Sequence, residues 1–104
     1  MIFVLLAEHT PETCPTSNAT TRDLLTKMAP EIPKIAEKVG VKMVAGPFVN
    51  REHLVVTVVE SASADNVDAF LFESRLEQWN RIRVLPSKSM EEGFAELMTV
   101  DTIF

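Results

Sequence analysis

Ile2-Phe3-Val4-Leu5-Leu6-Ala7-Glu8 is the stretch that decides the fold, and Leu54-Val55-Val56-Thr57-Val58-Val59-Glu60 repeats its pattern. In an extended chain successive side chains point to opposite faces. Ile2, Val4 and Leu6 therefore share one side and Phe3, Leu5 and Ala7 the other, and both sets are apolar. The second run behaves the same way, with Leu54, Val56 and Val58 opposing Val55, Thr57 and Val59. Runs of this kind read as central strands buried on both faces.

Outward from these two strands the chain divides cleanly. Thr10 to Ser17 holds two prolines and several small polar residues, which predicts a loop. Ser17 or Asn18 caps a helix in which Leu24, Leu25, Met28, Ile32, Ile35, Ala36 and Val39 form one apolar stripe. Pro30 and Pro33 each remove a backbone donor, so a break is expected near Ala29, with Pro30 opening a second short helix and Gly40 stopping it. Val41 to Val49 and Glu52 to Glu60 read as strands joined by a tight Asn50-Arg51 hairpin. Ser63 caps the next helix, whose inner face is Val67, Phe70, Leu71 and Ser74. Trp79 to Leu85 is a fourth strand closed by Pro86. Ser89-Met90-Glu91-Glu92 fits a capping box ahead of a short helix with Phe94, Leu97 and Met98, and Val100 to Phe104 is an apolar tail suited to adding a strand at a sheet edge.

The order β-α-β-β-α-β with a C-terminal helix and tail is the split-βαβ, ferredoxin-like pattern: an α+β domain with a four-stranded antiparallel sheet in spatial order 4-1-3-2. With 104 residues, the chain is one domain, 1–104. Its helices cover one sheet face, and the two-sided apolar strands call for a cover on the other. A second copy is the simplest candidate. In element order and patterning, though in no single motif, nearly the whole chain resembles the dimeric α/β-barrel superfamily, in which two ferredoxin-like sheets pack face to face. The resemblance implies a homodimer. Its members range from monooxygenases and isomerases to non-catalytic sensing modules, so it implies no one function.

Bulk properties narrow the partners. A net charge of −5 argues against nucleic acid and against an anionic membrane surface. The apolar start is only about seven residues long and lacks a basic leader, so neither a signal peptide nor a membrane span is expected. One cysteine forms no internal disulfide, and a cytoplasmic setting is the expectation.

Chemistry concentrates at one place. The chain has two histidines and one cysteine, and His9 stands five residues before Cys14. In the expected topology His9, at the end of strand one, lies beside His53, at the start of strand three. Trp79-Asn80 reach the same end of the sheet, and Cys14 occupies the loop leaving it. His9, Cys14 and His53 are thus the candidate catalytic residues and the candidate metal ligands, with water or Glu12 as a fourth. Zinc suits two imidazoles and a thiolate, with copper or iron as alternatives. Without a metal, Cys14 with a histidine base is a nucleophile pair, and a histidine alone is a general acid or base near neutral pH. Phe3, Thr57, Trp79 and Arg81 are candidate substrate contacts. Arg81 and Arg83, two residues apart on strand four, suit an anion, or else simply solvate an edge. The expected function is a small-molecule-binding protein or enzyme with its site at the exit of strand one. The alternative is a non-catalytic ligand-sensing or assembly module.

Overall fold

The computed structural model describes residues Met1 to Phe104. The elements run β1 (Ile2–Glu8), α1 (Ala19–Met28), α2 (Ile32–Val39), β2 (Val41–Phe48), β3 (Leu54–Ser61), α3 (Ala64–Glu73), a 3-10 turn (Leu76–Gln78), β4 (Arg81–Ser87) and α4 (Met90–Leu97). The four strands form one open antiparallel sheet in the order β2-β3-β1-β4. This α+β arrangement is consistent with a ferredoxin-like fold.

Each helix boundary has a local cause. The Asn18 side chain accepts the Thr21 N–H and starts α1, and Ser63 does the same for α3 through Asn66. The break between α1 and α2 falls at Ala29-Pro30-Glu31, so Pro30 lies in the turn; Pro33, not Pro30, is the proline of the first helical turn of α2. Gly40 ends α2 in a left-handed conformation, φ 79°.

Several strand boundaries differ from the sequence reading. The β2–β3 connection is Val49–His53, longer than a two-residue hairpin, because β2 is irregular between Met43 and Phe48 and loses its register before reaching Asn50. Gly46 sits in that irregular stretch at φ 81°, where a Cβ would fall 2.6 Å from the Val56 carbonyl oxygen. Glycine is the residue that fits there. β4 begins at Arg81 rather than Trp79 and runs through Pro86 to Ser87. Pro86 does not end it because β4 is an edge strand, bonded on one side only. Val100–Phe104 forms no strand and lies exposed.

The register fixes which residues share a face. Phe3, Leu5, Val41 and Val59 of the sheet pack with Ala36 of α2 and Val67, Phe70 and Leu71 of α3 in one buried core. Ile82 and Val84 of β4 pack against it. The opposite face carries Ile2, Val4, Leu6, Leu54, Val56 and Val58, none of which is buried. α4 buries no residue and makes no extensive contact with any other element. The Cα radius of gyration is 16.1 Å, with extents of 54 × 31 × 18 Å. A compact chain of this length has a radius near 13 Å, so the C-terminal segment stands away from the body as an arm. No helix is long and apolar enough to cross a membrane.

Candidate functional site

The end of β1 is extended by one more ladder bond, from the His9 N–H to the His53 carbonyl oxygen, 3.2 Å. His9 and His53 are therefore cross-strand neighbours, and their rings meet edge to face with centroids 5.4 Å apart. By alternation His9 follows Phe3, Leu5 and Ala7, so it belongs to the helix-covered side of the sheet, not the open one.

His53 has φ 57°, a left-handed conformation that is uncommon for a residue with a Cβ. Asn50 imposes it. Its side-chain oxygen accepts the N–H groups of Glu52 and Leu54, and its amide nitrogen donates to the Leu54 carbonyl. The loop closes tightly around Asn50, and His53 is turned back toward β1.

Cys14 comes from the third segment. The Ser17 and Asn18 N–H groups both donate to the Cys14 carbonyl, at 2.9 and 2.8 Å. Arg22 of α1 donates to the carbonyls of Pro15 and Thr16, and the Asn18 amide donates to Glu12. The loop is thus latched to the start of α1, and Cys14 is only 8% exposed. The Thr16 hydroxyl lies 3.1 Å from the Cys14 sulfur. Hydrogen bonds from the Thr16 hydroxyl and backbone N–H, with smaller help from His9 and His53, outweigh burial and bring the thiol down to about 6. Alkylation of metal-free protein by iodoacetamide should therefore rise with pH through an inflection near 6, where a free cysteine inflects near 8.5. Thr16→Ala should move the inflection up, and an unmoved inflection would discard the threonine as its cause.

The result is that the donor atoms of His9, Cys14 and His53 all lie within 4.8 Å of one another. A tetrahedral ion holds such atoms about 3.3–3.8 Å apart, so closing on one needs small side-chain rotations and no rebuilding of the backbone.

Asn80 orients the first ligand. Its amide nitrogen donates to the Leu76 carbonyl at 3.0 Å, which leaves its oxygen facing His9 Nδ1 at 2.9 Å. The proton of a neutral imidazole then sits on Nδ1, and Nε2 offers its lone pair. Carbonyl support of this kind is what metal-bound histidines ordinarily have. Trp79 stands 5.2 Å from His9, centroid to centroid, and walls the site. Asn80→Ala should weaken metal binding 10–100-fold while leaving the thiol's alkylation profile in place; an unchanged affinity would mean that Asn80 is only structural.

The other expected site residues lie elsewhere. Phe3 is completely buried, and Thr57, paired with Leu5, is 9% exposed. Both belong to the sheet interior away from the loops. Arg81 pairs with Glu8 and, with Arg83, lines a cleft of about 270 Å³ on the other side of the sheet. Glu12 is exposed, and its carboxyl is held below the usual range by the Thr10 hydroxyl and its own backbone N–H. It stays outside the ligand cluster. A second cleft of about 360 Å³, bordered by Leu71, Phe72, Ile82 and Val84, reaches Asn80 from the α3 side. Thr16 and Asn80 have roles that sequence reasoning did not assign. Thr16 stands two residues from the thiol it serves, a spacing that offers a signal, whereas the Asn80–His9 bond spans 71 residues, and strand order brings Asn80 only to the same end of the sheet without pairing it to His9.

No protein-family model matches the chain, and no curated protein matches it.

Proposed function

We propose that this chain is a metal-dependent small-molecule protein whose ion is held by His9, Cys14 and His53, with zinc the first choice and copper the second. One observation carries the reading: three donors of transition-metal type, brought from three separate segments, converge within 4.8 Å. Two supports accompany it. The thiol is poised to be a thiolate, the form that binds metal. The tautomer of His9 is set by Asn80. Three protein ligands leave a fourth position for water or a substrate atom, the composition of a catalytic rather than a structural site. At such a position an ion lowers the pKa of bound water or polarises a carbonyl. This chain's own part is to hold the ligands, and Trp79 shields one side of them from solvent.

The same reading includes a homodimer in which the open faces, bearing Val4, Leu6, Val56 and Val58, pack against each other as a barrel. Six half-buried aliphatic side chains on an uncovered sheet support it. Because His9 lies on the helix side, the dimer encloses the back of the sheet and does not wall the metal site.

Elemental analysis and zinc titration of untagged protein test the metal. One equivalent per chain is expected, with cobalt substitution giving a thiolate-to-metal charge-transfer band that Cys14→Ser abolishes. A well-folded wild-type protein that takes up neither zinc nor copper would end the proposal and leave a thiolate–imidazole pair as the reading.

A further inference from the structure

We infer that the C-terminal arm, residues 89–104, is an exchange element that docks over the β4 edge of the open sheet face of a second copy of this chain, beside the sheet-to-sheet contact, where Leu85, Arg81 and Arg83 stand exposed. The inference rests on the homodimer proposed above and adds what holds it.

The arm's condition is physically unbalanced. α4 has eight residues and buries none of them. Isolated helices shorter than about 12–15 residues are marginal in water, and Gly93 in this one lowers its propensity further. Its apolar residues are nonetheless placed for packing. Met90, Phe94, Leu97 and Met98 fall at i, i+4, i+7 and i+8, one face of a helix, and stand 77%, 56%, 51% and 79% exposed. Val100, Ile103 and Phe104 extend the same apolar character into the tail. A helix with an apolar stripe and no partner in its own chain is a helix whose partner lies outside it.

Surface area fits another copy as that partner. The chain exposes 7498 Å². A folded monomer of 11.6 kDa exposes about 5,800 Å². The excess, roughly 1,700 Å² per chain, falls in the range of obligate homodimers once both partners are counted. The open sheet face alone spans about 19 by 23 Å by strand spacing and rise, too little to account for it. Sheet face and arm together are what the excess requires.

Charge agrees with the docking. Arg81 and Arg83 lie on the β4 side of the open face, beside Glu8, and form no ion pair within the chain. Glu91 and Glu92 at the start of α4 are likewise unpaired, while Glu96 is bonded to Lys88. An acidic helix start meeting a partner's rim of two arginines and one carboxylate brings a negative surface to a net positive one.

Sedimentation equilibrium of the full chain, with Phe94→Glu, Leu97→Glu and the sheet-face variant Val56→Glu, tests this. The wild type should be a dimer, and each variant should raise its dissociation constant 100-fold or more with zinc uptake intact. Mixed dimers of isotopically labelled and unlabelled chains should show cross-chain NOEs from Phe94 to the methyls of Leu85 on the β4 edge. Arm variants that dimerise like the wild type, or NOEs confined to one chain, would overturn the exchange and leave the sheet-to-sheet dimer. A wild type that stays monomeric at high micromolar concentration would overturn both.

Discussion

Replacing His53 by glycine is expected to abolish tight metal binding while leaving the metal-free protein almost as stable as before. The backbone at His53 is left-handed, φ 57°, and is held there by Asn50. A residue with a Cβ pays of order 1 kcal/mol for that conformation, and glycine does not. Glycine's extra freedom in the unfolded chain costs a similar amount, and the lost contact with the His9 ring adds a little more. The net change should stay within about 1 kcal/mol by urea unfolding. Binding behaves differently. Structural zinc sites with four ligands are worth about 10–16 kcal/mol, so one ligand carries roughly 3 kcal/mol and its loss lowers affinity about 100-fold or more. A stable variant that binds zinc like the wild type would remove His53 from the ligand set. A variant that loses more than about 2 kcal/mol without metal would show that the imidazole is there for packing.

Phe3→Ala should act on folding and not on the site. Phe3 is completely buried, paired with Val59 on one side and Pro86 on the other, in the core formed with Val67 and Phe70. Phenylalanine-to-alanine changes in such positions cost about 3–5 kcal/mol, a large share of the roughly 5–15 kcal/mol that holds a domain together. Thermal and urea unfolding should show a loss of that size, and the fraction that remains folded should bind zinc normally. Phe3→Leu, closer in volume, should cost much less. Wild-type stability combined with weakened ligand binding would restore Phe3 as a wall of the pocket.

These two residues mark the divide between what sequence pattern reveals and what it does not. Phe3 was expected at the pocket because it shares parity with His9, and the parity holds. Parity gives the side of a sheet, however, and not the distance along it. Phe3 lies near the far end of β1, under α3, six residues from His9. Arg81 shows the opposite limit: it is at the right end of the sheet and on the wrong side, because it pairs with Glu8, one residue short of His9, and alternation turns the two to opposite faces. The type of each α-helix and each of the four strands was legible from apolar periodicity, caps and Gly40, while the 3-10 turn at Leu76–Gln78 and the strandless tail were not. The ends of β2, β3 and β4 were not, since an irregular strand and an edge-strand proline break the rules by which ends are read.

The meeting of His9 with His53 was foreseeable once the strand order was, because antiparallel pairing of β1 and β3 leaves those two positions little choice. The state of Cys14, the tautomer of His9 and the exclusion of Glu12 were not, as each depends on the path of a loop and on hydrogen bonds that no periodicity encodes. By itself the chain of residues determined an α+β sheet, its strand order, and two faces that are both apolar, since these follow from side-chain alternation and the burial of oily surface. Only the tertiary structure decided which face holds the chemistry and left α4 without a partner of its own. Those outcomes are set by register, loop closure and distance, which are properties of the folded chain in space.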